Sequence, residues 1–233
     1  MASATTTTVR PLLKTPTSIR LVQLRRNAES ITGLLKTVDH DAPDCPSFTT
    51  LSYTWGAVEH TRSITLYGQP FPILTTVYPI LEALCDGSKF DSEAWYWVDK
   101  ICINQANLEE RASQVRLMGR VYATSARRAV WLSPATDEMD RAVDLFVQLS
   151  AWNYSDELSF IDATEWRTWG ALLQLPWWRR VWTLQEFIIP NNVDFHCGGD
   201  KSFSREQFQK AMVTHANYPD ADVPPAVWLP AWN

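Results

Sequence analysis

The chain has 233 residues, a formal net charge of −5, 45% apolar and 20% charged side chains. This suits a soluble globular protein able to bury a real core, as one large domain or one domain with an appendage. Long runs of one charge are absent, which argues against a nucleic-acid-binding surface, and no apolar stretch approaches the roughly 18–20 residues that span a bilayer. Cys45, Cys85, Cys102 and Cys197 are widely spaced with no C-x-x-C pair, and the four histidines are scattered. A zinc ribbon and a disulfide scaffold are therefore both disfavoured, and a reduced, cytoplasmic protein without a bound cofactor is expected.

Residues 1–18, rich in threonine and proline, are expected to form a flexible leader. No acid precedes Glu29 whereas several arginines do, as in transit peptides, but Ile19–Leu24 alternates apolar and polar residues and reads as a strand of the fold. Phe48–Trp55 is β-branched and aromatic and ends at Gly56, so a strand leads there into a loop. Residues 63–67 and 71–74 flank Gly68-Gln69, a hairpin signal. Val77, Ile80, Leu81 and Leu84 predict a helix after a threonine cap, with Pro79 tolerable in its first turn. Trp95–Asp99 reads as a short buried strand ending at an acid, followed by the loop K-I-C-I-N-Q-A.

Asn107 and Glu110 have the spacing of a capping box, and the apolar face through Val115, Met118 and Val121 extends a helix to about Ala126. Residues 129–133 read as a strand closed by Pro134, and helices are expected over 138–151, 163–174 and 177–188. Val193–Cys197 reads as another strand, and Ser204 with Gln207 opens a last helix to about Ala216. Residues 19–218 form the expected domain, and 219–233 a proline-rich tail.

Strands alternating with helices imply an α/β fold with a mainly parallel sheet covered by helices on both faces, plus the added β-hairpin. Ligands of such sheets sit beyond the carboxyl ends of the strands. One strand end there presents Ser52, Tyr53, Trp55 and Gly56; the next presents Asp99, Asn104 and Gln105; a third presents Ser133. A helix over 177–188 packed on the same rim adds Arg180, Trp182, Gln185 and Glu186, with Trp182 and Glu186 four residues apart on one face.

Each residue also has a structural reading. Asp99 can cap a loop, Asn104 and Gln105 can be loop-stabilising amides, Arg180 can pair with Asp99 or Glu110, and Cys102 between two isoleucines fits an inert core thiol. Glu110 and Arg111 read as cap and surface pair. Trp178 and Trp182 fit an aromatic core stripe with Glu186 solvated beside it. No P-loop, Rossmann glycine pattern or serine-hydrolase motif is present.

L-S-Y-T-W-G (51–56), W-V-D-K-I-C-I-N-Q (97–105), E-R-A-S-Q-V-R-L-M (110–118) with A-V-W-L (129–132), and P-W-W-R-R-V-W-T-L-Q-E (176–186) occur in this order. Together with I-R-L-V-Q-L (19–24) they resemble the fungal heterokaryon incompatibility (HET) domain over roughly residues 19–190. Thr54 and Ser133 depart from that family's usual residues. The resemblance implies a part in fungal non-self recognition and programmed cell death, with self-association and an upstream sensor protein as partners, but no chemistry. A more distant similarity does imply one. In TIR domains, which are flavodoxin-like, L-S-Y, W-V-D, V-W-L-S and W-T-L-Q-E have counterparts in the same order, and the glutamate of the last is catalytic in the members that cleave NAD. The matching position is Glu186. The implied reaction is hydrolysis of the nicotinamide–ribose bond of NAD, with NAD as substrate and no metal; the alternative is a non-catalytic module acting through protein contacts.

Overall fold

The computed structural model describes residues 10–27, 30–56, 61–87, 90–152, 161–183, 186–187, 192–198 and 201–217. It divides into two compact units. The first is built from Met1–Leu51 and Trp55–Ala126, the second from Ser52–Thr54 and Arg127–Asn233. The fold is α/β with mixed strand pairing, compatible with a flavodoxin-like sheet.

In the first unit β1 (Ser18–Arg26), β2 (Ile31–Asp39), β3 (Phe48–Tyr53), β4 (Thr61–Leu66), β5 (Gln69–Leu74) and β6 (Trp95–Trp97) stand in the order β5-β4-β2-β1-β6-β3. β3/β6 and β2/β4 are parallel, while β1/β2, β1/β6 and β4/β5 are antiparallel. The β4–β5 hairpin turns at Tyr67-Gly68, one residue earlier than expected, and both residues have positive φ, as a two-residue primed turn requires. β2 has no counterpart in the sequence reading: Gly33 and the exposed Leu34 interrupt the alternation that marks a half-buried strand.

α1 (Tyr78–Cys85) forms at the expected place with Pro79 in its first turn, but Val77 is its N-cap and no threonine side chain caps it. Asp99 does not end a strand. Strand geometry stops at Trp97, and Asp99 begins a one-turn helix, α2 (Asp99–Cys102).

α3 (Leu108–Thr124) is capped by Asn107, whose Oδ1 accepts the Glu110 N–H at 3.0 Å. Only this half of the expected capping box forms, because the Glu110 carboxylate is taken by Arg20. Arg20 Nη1 and Nη2 donate to Glu110 Oε1 and Oε2 at 2.6 and 3.1 Å, and the Asn104 N–H adds a bond of 2.7 Å. Arg20 Nη1 also reaches the Cys102 carbonyl and Nε the Pro11 carbonyl, so the guanidinium is satisfied although it is 2% exposed. Arg10, within the expected leader, donates to the carbonyls of Ile101 and Lys100. Burial alone pushes the Glu110 carboxyl up, but the Arg20 fork, the Asn104 N–H and the two guanidinium charges outweigh it, and the net shift is downward.

The second unit contains the end of β3 and β7 (Arg127–Ser133), β8 (Val193–Cys197) and β9 (Lys201–Ser204), in the order β7-β8-β9. β7/β8 is parallel and β8/β9 antiparallel. The link between β7 and β8 carries α4 (Asp137–Ala151) and α5 (Ala163–Leu173), and α6 (Arg205–Ala216) follows β9. Met139, Ala142, Val143, Phe146 and Leu149 give α4 one apolar face, which meets an aromatic core of Trp169, Trp178, Phe195, Phe203 and Phe208. The Phe146 and Trp169 rings stack at 3.7 Å. α6 starts with the complete Ser204–Gln207 capping box. No helix among the described residues is long and apolar enough to cross a membrane.

Glu110→Gln leaves the buried Arg20 without its counter-charge and is expected to cost about 3 kcal/mol. The folded carboxyl titrates below its unfolded value, so this contribution is complete above the ordinary carboxylate range and lost as pH falls through the lowered pKa. Urea midpoints of wild type and Glu110→Gln should therefore differ near neutral pH and converge under strongly acid conditions.

Candidate functional site

The residues singled out in the sequence fall into two groups, one in each unit. The second unit holds Glu186. Pro176–Arg179 forms a single 3-10 turn that ends at Arg180, whose backbone is extended (φ −84°, ψ 138°). The continuous helix expected over 177–188 is therefore absent. A new turn begins at Arg180: its carbonyl accepts the Thr183 N–H at 3.2 Å and the Thr183 hydroxyl at 2.5 Å. The Glu186 N–H then donates to the Trp182 carbonyl at 3.2 Å, which is helical spacing. Even so, Trp182 and Glu186 do not share an environment, since the indole is 41% exposed and the carboxylate residue only 2%. Glu186 is thus not the solvated neighbour of an aromatic stripe. Trp178 is core, with its Nε1 donating to the Leu172 carbonyl at 2.9 Å.

Burial of Glu186 is answered on both oxygens. Arg180 Nη1 and Nη2 donate to Oε2 and Oε1, each at 3.3 Å, and the Ser52 hydroxyl donates to Oε2 at 2.5 Å. Trp177 Nε1 donates to Ser52 Oγ at 2.7 Å, which leaves the serine hydrogen to point at the carboxylate. The relay Trp177–Ser52–Glu186 and the Arg180 fork hold the carboxylate in one orientation. Trp177 was not singled out in the sequence. The signal for it is the adjacent Trp pair after a proline: on a 3-10 turn the two rings diverge, here at an interplanar angle of 85°. Tyr53 is buried beside Ser52 in sequence. Ser133 serves the end of β7, where its hydroxyl donates to the Pro134 carbonyl and its own carbonyl accepts the Gly198 N–H. Gln185 lies outside the described residues.

The first unit holds Trp55, Gly56, Asp99, Asn104 and Gln105. Asp99 Oδ2 accepts the Trp55 indole N–H at 2.8 Å, and Oδ1 accepts the Lys100 N–H at 2.6 Å. The Lys100 ammonium lies 5.2 Å from the Trp55 ring. Gly56 has φ +68°, and a Cβ there would lie 2.8 Å from Thr76 Cγ2, so glycine is required. The Thr76 hydroxyl in turn donates to the Trp55 carbonyl. Gln105 Nε2 donates to the Asp99 carbonyl, and Asn104 Oδ1 accepts the Ala106 N–H; both amides shape the loop between α2 and α3. Arg180 pairs with neither Asp99 nor Glu110 but with Glu186. Burial pushes the Cys102 and Cys197 thiols up to about 12, so neither supplies a thiolate at neutral pH.

A site built on a buried carboxylate, with an arginine fork and strand-end groups, sits on the motifs quoted above. The family model described as heterokaryon incompatibility protein (HET) matches residues 48–186, more than half of the chain, and the chain belongs to this family. Among curated relatives it is similar to heterokaryon incompatibility protein 6, OR allele, of Neurospora crassa, at 27% identity over 78% of this chain. It is also similar to vegetative incompatibility protein HET-E-1 of Podospora anserina, at 27% identity over 73% of this chain. The matched regions cover 33% and 11% of those two proteins, so the chain spans a third or less of either. No solved structure matches.

Removing Arg180 takes the guanidinium away from a buried carboxylate. Arg180→Leu is expected to destabilise by about 2–3 kcal/mol, the lower side of the range for broken buried pairs because Arg180 keeps 22% side-chain exposure. The double variant Arg180→Leu/Glu186→Gln should lose less than Arg180→Leu alone, a comparison that denaturant melts of the four-member cycle provide.

Proposed function

We propose that this chain is an effector of non-self recognition that triggers cell death, and that it acts by hydrolysing the nicotinamide–ribose bond of NAD at Glu186. The family and the printed names of its relatives support the first part. The second rests on the TIR-like order of motifs and on one observation: Glu186 is a buried carboxylate oriented by Ser52 and Arg180.

Nicotinamide leaves NAD as a neutral molecule from a cationic nitrogen, so breaking the glycosidic bond needs no general acid. The carbon–nitrogen electron pair goes to the ring, the ribose develops oxocarbenium character, and water adds to the anomeric carbon with loss of a proton. A fixed carboxylate stabilises that positive charge and holds the ribose hydroxyls, which take over the bonds that Ser52 and Arg180 make to it. Arg180, displaced from Glu186, is placed to meet a phosphate. Trp182 offers exposed ring surface for stacking. Tyr53 and Ser133, in the same unit as Glu186, are the further described residues proposed to contact the substrate.

A second reading has an observation of its own. Val181 and Trp182 are adjacent and exposed, an apolar surface suited to self-association, and on this reading Glu186 is only a structural anchor. NAD turnover by purified full chain separates the two. The catalytic reading expects NAD loss with release of nicotinamide, and a drop of at least about 100-fold in Glu186→Gln protein with unchanged circular dichroism. Turnover by Glu186→Gln at the original rate defeats the site assignment. Cell death on expression of either protein with NAD levels unchanged selects the non-catalytic reading.

A further inference from the structure

Asp39 ends β2 and His40-Asp41 opens the turn after it, in the first unit and apart from every residue discussed above. The His40 side chain is completely buried. Its backbone N–H and its ring Nδ1 both approach the Thr17 carbonyl oxygen, at 3.2 and 2.7 Å. A carbonyl oxygen only accepts, so Nδ1 carries a proton, and on the neutral tautomer that leaves a lone pair at Nε2. That Nε2 is buried and makes no hydrogen bond, although it stands 3.2 Å from Asp41 Oδ1; the two atoms are close but misaligned for one. A lone pair facing a carboxylate oxygen at that distance is repulsive unless a cation, a proton or a metal ion, lies between them.

Asp39 brings a second carboxylate to the same point. One ligand atom from each of Asp39, His40 and Asp41 lies within 4.8 Å of the other two. Asp39 is positioned by the Asp41 N–H on Oδ1 and the Thr15 hydroxyl on Oδ2. Arg120 Nη2 holds both oxygens of Asp41 at 2.8 and 2.7 Å, which uses only part of that carboxylate's acceptor capacity. An imidazole whose Nδ1–H is tied to a backbone carbonyl while Nε2 stands beside a carboxylate has the orientation that outer-shell bonds impose on metal-ligating histidines. Two ligands about 2.1 Å from a tetrahedral zinc stand about 3.4 Å apart, close to the 3.2 Å between His40 Nε2 and Asp41 Oδ1.

We propose that Asp39, His40 and Asp41 form a binding site for a divalent first-row transition metal such as zinc, ligated by His40 Nε2 and one oxygen of each aspartate, with water completing the shell. The nitrogen donor favours such an ion over calcium or magnesium, which prefer oxygen throughout. A metal here clamps the end of β2 to Thr15–Thr17, the segment that leads into β1, and so acts on the fold independently of any chemistry at Glu186.

The test is titration of chelator-stripped full chain with zinc chloride, followed by calorimetry and by the thermal midpoint. Wild type is expected to bind one equivalent with micromolar affinity and to melt higher in the zinc-bound form. His40→Gln should weaken binding about 100-fold, and Asp41→Asn, at a side chain 40% exposed, about tenfold. Absence of stoichiometric uptake by wild type overturns the proposal, as does equal affinity in wild type and Asp41→Asn. A His40 ring found protonated by nitrogen NMR at neutral pH, with zinc leaving its resonances unmoved, overturns it as well.

Discussion

Removing a charged side chain from water costs several kcal/mol even after the surroundings relax, and the cost is recovered only by an opposite charge with good hydrogen-bond geometry. Among the described residues each unit of this protein contains such an obligation. In the first, Arg20 is buried within β1 and is met by both oxygens of Glu110, the Cys102 carbonyl and the Pro11 carbonyl. In the second, Glu186 is buried and met by Arg180 and Ser52. Much of the local geometry follows from these two demands. The Arg20–Glu110 fork ties β1 to the start of α3 and draws the Asn104 N–H into the same cluster, which fixes the loop that carries Gln105 and, through it, Asp99.

The helices capped by neighbours in sequence were readable from sequence. Ser204 and Gln207 satisfy each other's backbone N–H groups with no outside competitor, so their spacing alone identifies the start of α6. Asn107 and Glu110 have the same spacing and only half the structure, because an arginine 90 residues earlier in the chain takes the carboxylate. A pattern rule sees local partners and is blind to that one. The missed strand β2 has a related cause. Its pairing with β1 over nine residues defines it, whereas its own alternation is broken at Gly33 and Leu34.

The candidate site shows the same division. Ser52, Arg180 and Glu186 could be chosen from sequence because Ser52 ends an expected strand, Arg180 and Glu186 lie on the proline-headed stretch expected at the same rim, and Glu186 matches the TIR glutamate. Their mutual contact could not, since Ser52 and Glu186 are 134 residues apart. Trp177 was hidden for a different reason: in a run of tryptophans, sequence does not say which indole N–H meets a core carbonyl and which meets a functional hydroxyl. Asp99 was located correctly near Trp55, but its role at the head of α2 depends on where strand geometry stops, and a boundary shift of two residues changes that role.

The broken helix at Arg180 is the one departure from the expected fold that the site cannot do without. On an uninterrupted α-helix each residue advances about 100° and about 1.5 Å, so positions 180 and 186 would stand about 120° apart around the axis and about 9 Å apart along it. That spacing would draw the Arg180 guanidinium away from Glu186. Pro176 favours the tight first turn, the 3-10 segment ends after four residues, and extended backbone at Arg180 restarts the chain in a new direction. The Arg180 carbonyl, freed from the first turn, caps the second by accepting both groups of Thr183. The kink therefore supplies the geometry that lets a residue six positions upstream close over the carboxylate, and it turns Trp182 to the surface in the same movement. A continuous helix over these residues would follow the hydrophobic pattern but forgo the Arg180–Glu186 pair that the kinked chain makes.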